Sequence, residues 1–553
     1  MRCTLVLTLL LWPAAYAQSG PPSGTLPFTC TSTGAAQSGA AVFAGIPFPP
    51  ATLYDAAQLD LRIGSMSVPR SASVLSTYPD GSLRVVLIGF TVTLPAGGSQ
   101  AYTLRYNMGA GSATSLAWTR NPNVLALCAP AWYGASSVFN GRLLASADNT
   151  LFPAFETEMM ANYASEANPP SSTNPDNRNY YDHAHALYTT MLRNGGPTSC
   201  VSRLWNEVYQ FRENEILHSG AYTGQYNAGS ITANGSPIPF NVIRRMFVTG
   251  LLEDWYFTGD QRSFDVAQEM ANAYRTDAYL SQTRFTWTER IPGWEIIGLC
   301  AMYEATLDAT YLAAAQSIAS VELAHQSAMA TKYPNQGGVP GQTGAFVQDR
   351  FDAWFDSSES TMSGCGSPFM TAVLCEGLIK LHWLTGDAAI RDSVLWACDW
   401  LVDAAYDAPD ASFWYVAVDT ATGTTPSLNP MWLNMLGFAH QLTGQSKYLA
   451  TANAILAVND WGNTIKEFNQ GMRTSGQGLW LLQGAPGTRP LVWNATTGGG
   501  TVPPPPGGGG PPGGGGGGGG GGGCSASDRA LSPAWIAIAL ALLMVARRRM
   551  MVS

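Results

Sequence analysis

Thr385-Gly386-Asp387 separates two apolar-periodic segments, Pro368 to Leu384 and Ala388 to Ala404. That junction predicts a helix hairpin. A glycine after the last periodic residue closes a helix in the left-handed conformation, and an aspartate opens the next by accepting its free N–H groups. The junction recurs at Thr258-Gly259-Asp260, Thr306-Leu307-Asp308 and Thr443-Gly444-Gln445, and in looser form at Arg193-Asn194-Gly195. Helical period also marks Tyr181 to Arg193, Val201 to Leu217, Asn241 to Phe257, Ser263 to Tyr274 and Trp294 to Thr306. It continues in Tyr311 to Ala328, Trp432 to Leu442 and Lys447 to Asn459. The hinges are spaced unevenly, 48 to 79 residues apart. An open solenoid keeps its period. Helix hairpins with long insertions predict a closed α/α toroid instead, whose inner helices rim a cleft.

Upstream the period changes to two. Leu59 to Ile63, Ser71 to Thr77, Leu83 to Leu94 and Gln100 to Tyr106 read as strands, with turn signals at Pro79-Asp80-Gly81 and Pro95-Ala96-Gly97-Gly98. The expected fold is therefore α+β and multidomain. A β-sandwich or barrel-like domain covers residues 25–120, a connecting segment 121–179, and the α/α toroid 180–495.

The two ends predict export. Met1-Arg2, an apolar run from Leu5 to Trp12 and Pro13-Ala14-Ala15-Tyr16-Ala17 read as a signal peptide over residues 1–17. Residues 496–523 read as a Pro/Gly-rich linker, which cannot bury apolar surface. Cys524 opens a tail over 524–553 that holds the apolar run Pro533 to Ala546 and then Arg547-Arg548-Arg549. This run is shorter than the roughly twenty residues of a stable spanning helix, and the arginines orient its end to the cytoplasm. The layout resembles C-terminal sorting tails of Gram-negative bacteria, including the Gly-Gly and myxobacterial classes. That resemblance implies recognition at Cys524 by a sorting protease or envelope export machinery. It also implies transient or permanent membrane attachment through 533–546, with the protein at the outer envelope or cell surface.

A net charge of −9 and a pI near 5.2 argue against nucleic acid or an anionic membrane surface as a partner. Charged residues make up only 12% of the chain, against abundant Gly and aromatics, a mix common in secreted carbohydrate-active proteins. Of nine cysteines, Cys3 and Cys524 lie in the terminal segments. The other seven show no close CxxC pairing, which excludes a dense disulfide scaffold and argues against a zinc cluster. Cys300, Cys375 and Cys398 fall in apolar helical patterns and read as core, which leaves Cys30, Cys128, Cys200 and Cys365 for any disulfide.

Gly45-Ile46-Pro47-Phe48 and Tyr78-Pro79-Asp80-Gly81-Ser82-Leu83-Arg84 before a hydrophobic strand resemble a bacterial and fungal group of secreted proteins. Its best-known members are exo-acting rhamnogalacturonan lyases. Glu289-Arg290-Ile291-Pro292-Gly293-Trp294 is also similar to toroids of that kind. The resemblance spans about residues 40–460 and implies a small β-barrel or sandwich ahead of an α/α toroid. It also implies a polysaccharide lyase acting on a pectin-like glycan. The group's frequent C-terminal β-domain is expected to be absent or tiny, since only about residues 460 to 495 remain for it.

A lyase needs a base beside the uronate carboxylate and a cation to neutralise it. A hydrolase needs two carboxyl groups. Asn179-Tyr180-Tyr181-Asp182-His183-Ala184-His185 is the richest candidate. Tyr181 and His183 offer acid and base, with Tyr180 and His185 as substrate-binding neighbours. Two apart on a helix, His183 and His185 cannot share a face, so they do not suit one zinc ion. Arg244 and Arg245 read as an inner-helix pair, one of which grips a uronate, with Glu253 and Asp254 about two turns on. In Trp287-Thr288-Glu289-Arg290-Ile291-Pro292-Gly293-Trp294, the Pro-Gly pair is expected to start a helix. That puts Glu289 and Arg290 at a rim and makes Trp287 or Trp294 a sugar platform. Asp349 to Ser367, with Asp352, Trp354, Asp356 and Glu359, reads as a lid or an insertion.

The sequence thus predicts catalytic Tyr181, His183, Arg245 and Glu289. No cofactor or metal is expected; scattered acids leave room for calcium, but no Asp-x-Asp-x-Asp-Gly loop is present. The leading expectation is an envelope-associated polysaccharide lyase. The alternatives are a hydrolase using two of Asp182, Glu253, Asp254 and Glu289, and a non-catalytic glycan-binding or structural surface protein.

Overall fold

The computed structural model describes residues 21–136, 138, 143–166, 179–196, 201–227, 235, 238–276, 289–334, 341–347, 366–417, 423–458 and 464–484. The signal, linker and tail segments lie outside these residues, as do Trp287, Trp354, Cys200, Cys365 and Cys524.

Antiparallel sheets fill residues 24–128. The strands are β1 (Gly24–Ser32), β2 (Gln37–Pro47), β3 (Leu59–Ile63), β4 (Met66–Ser67), β5 (Ser71–Thr77), β6 (Leu83–Leu94), β7 (Ser99–Tyr106) and β8 (Val124–Cys128). One sheet has the order β4-β3-β7-β1-β8 and the other β2-β6-β5. Phe28 and Tyr102 of the first sheet meet Phe90 of the second, with centroids 5.9 and 5.1 Å apart. The four strands read from the sequence form, but β8 carries the sheet region past residue 120. Its pairing with β1 makes it part of the β-region rather than of a connecting segment. Cys30 and Cys128, on those neighbouring strands, are buried free thiols.

The rest is largely helical: α1 (Pro130–Ala135), α2 (Pro153–Glu166), α3 (His183–Arg193), α4 (Val201–Gln210), α5 (Phe240–Ile243), α6 (Thr249–Thr258) and α7 (Gln261–Thr276). They are followed by α8 (Arg290–Thr306), α9 (Ala309–Lys332), α10 (Pro368–Thr385), α11 (Ala388–Ala404), α12 (Leu433–Thr443), α13 (Ser446–Leu456) and α14 (Ile465–Gln483). The hinges have the expected form. Gly259, Leu307, Gly386 and Gly444 are left-handed, with φ of 74°, 59°, 71° and 69°. Asp308 and Asp387 accept the N–H groups of Thr310 and Ala389. The threonine that opens each hinge also takes part. Its hydroxyl donates to the carbonyl four residues back and accepts the N–H of Asp260, Asp308, Asp387 or Gln445 at 3.1–3.2 Å.

Several helices differ from expectation, among them Val201 to Leu217, which is α-helical only to Gln210 and runs on as a π-helical turn over Phe211–Glu215. Asn241 to Phe257 is not one helix: α5 ends at Ile243, Arg244 and Arg245 form a turn, and α6 starts at Thr249. Helix α8 starts at Arg290 rather than Trp294, so Pro292 sits in its first turn. Helix α14 was not anticipated, because its sequence is rich in Gly and polar residues; a Thr464–Glu467 capping box starts it.

The helices that lead into hinges pack in succession. Helix α3 contacts α6, α6 contacts α8, α8 contacts α10, α10 contacts α12, α12 contacts α14, and α14 contacts α3. The three-stranded sheet lies on this set through β2 and β6 against α6 and β5 against α8. That second covered face explains why Leu83–Phe90 is buried at every position instead of alternating. The seam is tight at two places. Gly45 leaves no room for a side chain, since a Cβ there would lie 1.5 Å from the Tyr256 carbonyl oxygen. Arg84, fully buried, donates to the Tyr256 hydroxyl at 2.6 Å and reaches the Glu304 carbonyl oxygen at 3.4 Å.

Gly45→Ala is therefore expected to destabilise the protein by more than about 2 kcal/mol, the range for forced overpacking. Gly34→Ala, where a Cβ would meet nothing within 4 Å, leaves stability unchanged. Chemical denaturation of both variants checks this, and equal midpoints would contradict the seam.

Candidate functional site

Helix α3 begins under constraint. Tyr181 and Asp182 are both left-handed, at φ 67° and 60°, a conformation that costs non-glycine residues roughly 1–2 kcal/mol each. The Asp182 carboxylate holds the turn. It accepts the N–H of His185 at 3.2 Å and, from α6, the N–H of Gly250 at 3.1 Å. Burial pushes this carboxyl up to about 6, opposed by His185 and the two N–H donors and reinforced by Glu253.

Turning the chain this way separates the two histidines, as their spacing predicts. His183 Nδ1 lies 2.5 Å from Asn469 Oδ1 on α14. The Asn469 amide nitrogen donates to the Tyr180 carbonyl at 2.9 Å, so its oxygen faces the imidazole. Nδ1 therefore carries the proton and Nε2 is the basic nitrogen. An Arg203 nitrogen stands 3.5 Å from Nε2. Cations surround the neighbouring Tyr180. Its hydroxyl accepts from Arg290 at 3.1 Å, and Arg245 and Lys466 lie 5.6 and 5.8 Å from its ring centroid. Arg245 also faces Tyr226 at 5.7 Å. The Tyr181 ring packs on Trp294 at 5.6 Å, and burial pushes its phenol up to about 12.

The structure thus brings Tyr180, Tyr181, His183, Arg245 and Arg290 together. His183 and Tyr181 are buried, whereas Tyr180, Arg244 and Arg245 are partly exposed and Lys466 is exposed.

Other expected roles are corrected. Arg244 and Arg245 precede α6 rather than lying on a helix, because the chain turns there. Arg290 is the first residue of α8, with Glu289 as its N-cap. Trp294 is no sugar platform: it is buried under the Arg473 guanidinium at 4.4 Å and against Phe247 at 4.8 Å. Glu289 is buried, near Glu295 and Glu322. Burial, with those two carboxylates, drives Glu322 well above the usual carboxyl range. His185 points into the helical core, with Nδ1 2.8 Å from Glu253 Oε1 and Nε2 3.1 Å from the Arg473 carbonyl oxygen. Asp254 is bound by Arg120, the Tyr188 hydroxyl at 2.8 Å and Ser263 Oγ at 2.6 Å. Asp182, Glu253 and Asp254 are thereby engaged in holding helices together.

Sequence reasoning missed Asn469 and Arg473, both on α14, and Glu376 of α10, whose carboxylate grips Arg473 in a two-pronged pair. The Thr464-x-x-Glu467 capping pattern was the signal that could have exposed α14. Among the described residues no group of three or more His, Cys, Asp or Glu side chains is placed to hold a metal ion, and no helix is long and apolar enough to cross a membrane. No protein-family model and no curated protein sequence matches the chain.

Burial lowers His185 to about 4, so the ring is neutral in the folded protein at pH 5–7. The unfolded chain takes up a proton below about 6.5. The contribution of neutral His185 is therefore complete above 6.5 and is lost as pH falls towards 4. His185→Gln should show a smaller fall in melting temperature between pH 6.5 and 4 than the wild type. An equal or larger fall would contradict a neutral buried ring.

Proposed function

We propose that the protein is a carbohydrate-active enzyme of the cell envelope, a lyase that cleaves a uronate-containing, pectin-like polysaccharide by β-elimination. In this reading the sheets form a β-sandwich and the helices an α/α toroid. The return of α14 onto α3 after five successive helix contacts supports the toroid. The observation that carries the function is the meeting of a tautomer-fixed His183 with Tyr181 and the cations around Tyr180.

The chemistry follows from those groups. A uronate carboxylate docks on Arg245 and Arg290, whose planar guanidinium groups suit it. Neutralising the carboxylate acidifies the adjacent C5–H. His183 Nε2 takes that proton, the electron pair forms the C4=C5 double bond, and the C4–O4 bond breaks. The leaving oxygen takes a proton from the Tyr181 hydroxyl, which its raised pKa keeps loaded. This is the activity of the group that the Gly45–Phe48 and Tyr78–Arg84 motifs resemble. An exported address, with release or display through the tail at Cys524, suits a polymer found outside the cell.

One observation favours a second reading. His183 and Tyr181 are buried, so a polymer reaches them only where the surrounding chain moves aside, whereas Tyr180, Arg245 and Lys466 already face solvent. A non-catalytic surface protein that holds anionic glycans would use that outer layer alone. The hydrolase alternative is weaker, because three of its four carboxyl candidates hold helices together.

Incubation with panels of uronate-containing and neutral polysaccharides separates these readings. Ultraviolet absorbance from a double bond conjugated to a carboxylate is expected, and only with uronates. New reducing ends without that absorbance would mean hydrolysis, and binding without turnover would mean a glycan-binding protein. His183→Ala is expected to lose at least about 100-fold in turnover, the scale of general-base catalysis, with its melting curve retained. Unchanged turnover would remove His183 from the mechanism.

A further inference from the structure

A second polar centre lies within the helical region, on the His185 side of α3. A cavity of about 60 Å³ opens among α3, α6, α8, α10 and α14, and His185, Thr189, Glu253, Lys380, Arg473 and Gln477 are among its lining residues. Three of the lining residues each carry a buried polar atom with no hydrogen-bond partner in the protein: Thr189 Oγ1, Glu253 Oε2 and Arg473 Nε. Their residues are only 2%, 2% and 5% exposed. An unmet buried polar atom destabilises a fold. Three of them around one cavity mark it as a site with an occupant.

The donor and acceptor inventory identifies the occupant's chemistry. Arg473 Nε can only donate. His185 fixes the state of Glu253. The Arg473 carbonyl oxygen only accepts, so His185 Nε2 must carry a hydrogen. The contact between Nδ1 and Glu253 Oε1 then holds a single proton, whichever of the two atoms it rests on. In both cases Oε2 is left as an acceptor. Burial pushing Glu253 well above, and His185 below, its usual range agrees with a neutral pair. Arg473 is balanced by Glu376, and Lys380 by Glu304 at 2.8 Å. The cavity therefore needs no further charge. An anion would satisfy Arg473 Nε but repel the lone pairs of Oε2, and a cation would do the reverse.

The geometry points to a built-in water site that bridges Arg473 Nε, Glu253 Oε2 and Thr189 Oγ1. At roughly 10–15 Å³ of such space per molecule, the cavity takes about four to six waters. Thr189, Glu253 and Arg473 come from α3, α6 and α14, so the cluster joins the first, second and last helices of the contact series by bonds that no side chain supplies. This site does not depend on the glycan reading. It belongs to the fold whatever the substrate.

Two measurements test it. A crystal structure at about 1.5 Å, with a parallel bromide soak, should show water within hydrogen-bond distance of at least two of the three atoms and no anomalous bromide peak. A dry cavity, a side chain folded into it, or a bromide or metal peak there would overturn the assignment. Thr189→Leu fills the space with methyl groups. It is expected to lower the melting temperature, because Arg473 and Glu253 lose their partners. Filling an empty apolar void stabilises a protein, so a rise in melting temperature would overturn the proposal.

Discussion

A chain that reverses from one helix into the next within three residues needs one residue in the left-handed conformation and an immediate acceptor for the new helix's N–H groups. Gly259, Leu307, Gly386 and Gly444 meet the first need, and the flanking threonines and aspartates meet the second. The consequence is directional. Each of α6, α8, α10 and α12 runs into its hinge at its C-terminal end. Their N-terminal ends, with those of α3 and α14, are then left for other contacts. The β-sheets take the hinge side, where Arg84 meets Tyr256 and Glu304, Trp118 donates to the Thr258 carbonyl, and Gly45 abuts α6. The candidate site takes the other ends, with Tyr181 to His183 opening α3, Glu289 and Arg290 opening α8, and Lys466 and Asn469 opening α14. Helix N-termini carry partial positive charge, and the arginines among them add full charges.

Charged residues are scarce in this chain, and most of those near the helix ends are engaged. Asp254 and Asp260 tie Arg120 and Arg212 across β-region and helices. Asp182 joins α3 to α6, Glu376 joins α10 to α14 through Arg473, and Glu304 joins α8 to α10 through Lys380. A buried charge is tolerable only with such partners. Carboxylates that look catalytic by residue type alone are therefore mostly ties between helices. At the start of α3 an aromatic, Tyr180, and two cations, Arg244 and Arg245, are partly exposed and Lys466 is exposed, with the carboxylates of Glu215 and Glu467 also partly exposed nearby. In the proposed reading those cations receive an acidic ligand.

The hinges and four strands were legible because each rests on local chemistry, a left-handed residue, a cap or a strict period. Three features were not, each for a physical reason. Strand β8 depends on pairing with β1 about a hundred residues away. The break at Arg244-Arg245 interrupts a segment whose apolar pattern continues smoothly across it. Helix α14 is poor in apolar residues because its face is shared with α3, α12 and the polar centre at Arg473, where Asn469, Gln470, Thr474 and Ser475 are also buried. Within the site, the spacing of His183 and His185 correctly separated them, but the sequence could not say that His185 faces inward to Glu253 while His183 meets Asn469. Trp294 shows the same limit. Its aromatic ring suggested a sugar platform, yet burial beneath Arg473 decides its role.

The central claim is that the partly exposed layer at the start of α3 recognises the carboxylates of an acidic glycan. Isothermal titration with a uronate oligosaccharide and with its carboxyl-reduced counterpart tests it most directly. The uronate should bind at least about tenfold more tightly, a preference that added salt weakens and Arg245→Ala removes. Equal binding of the two sugars, or a preference untouched by that substitution, would contradict it.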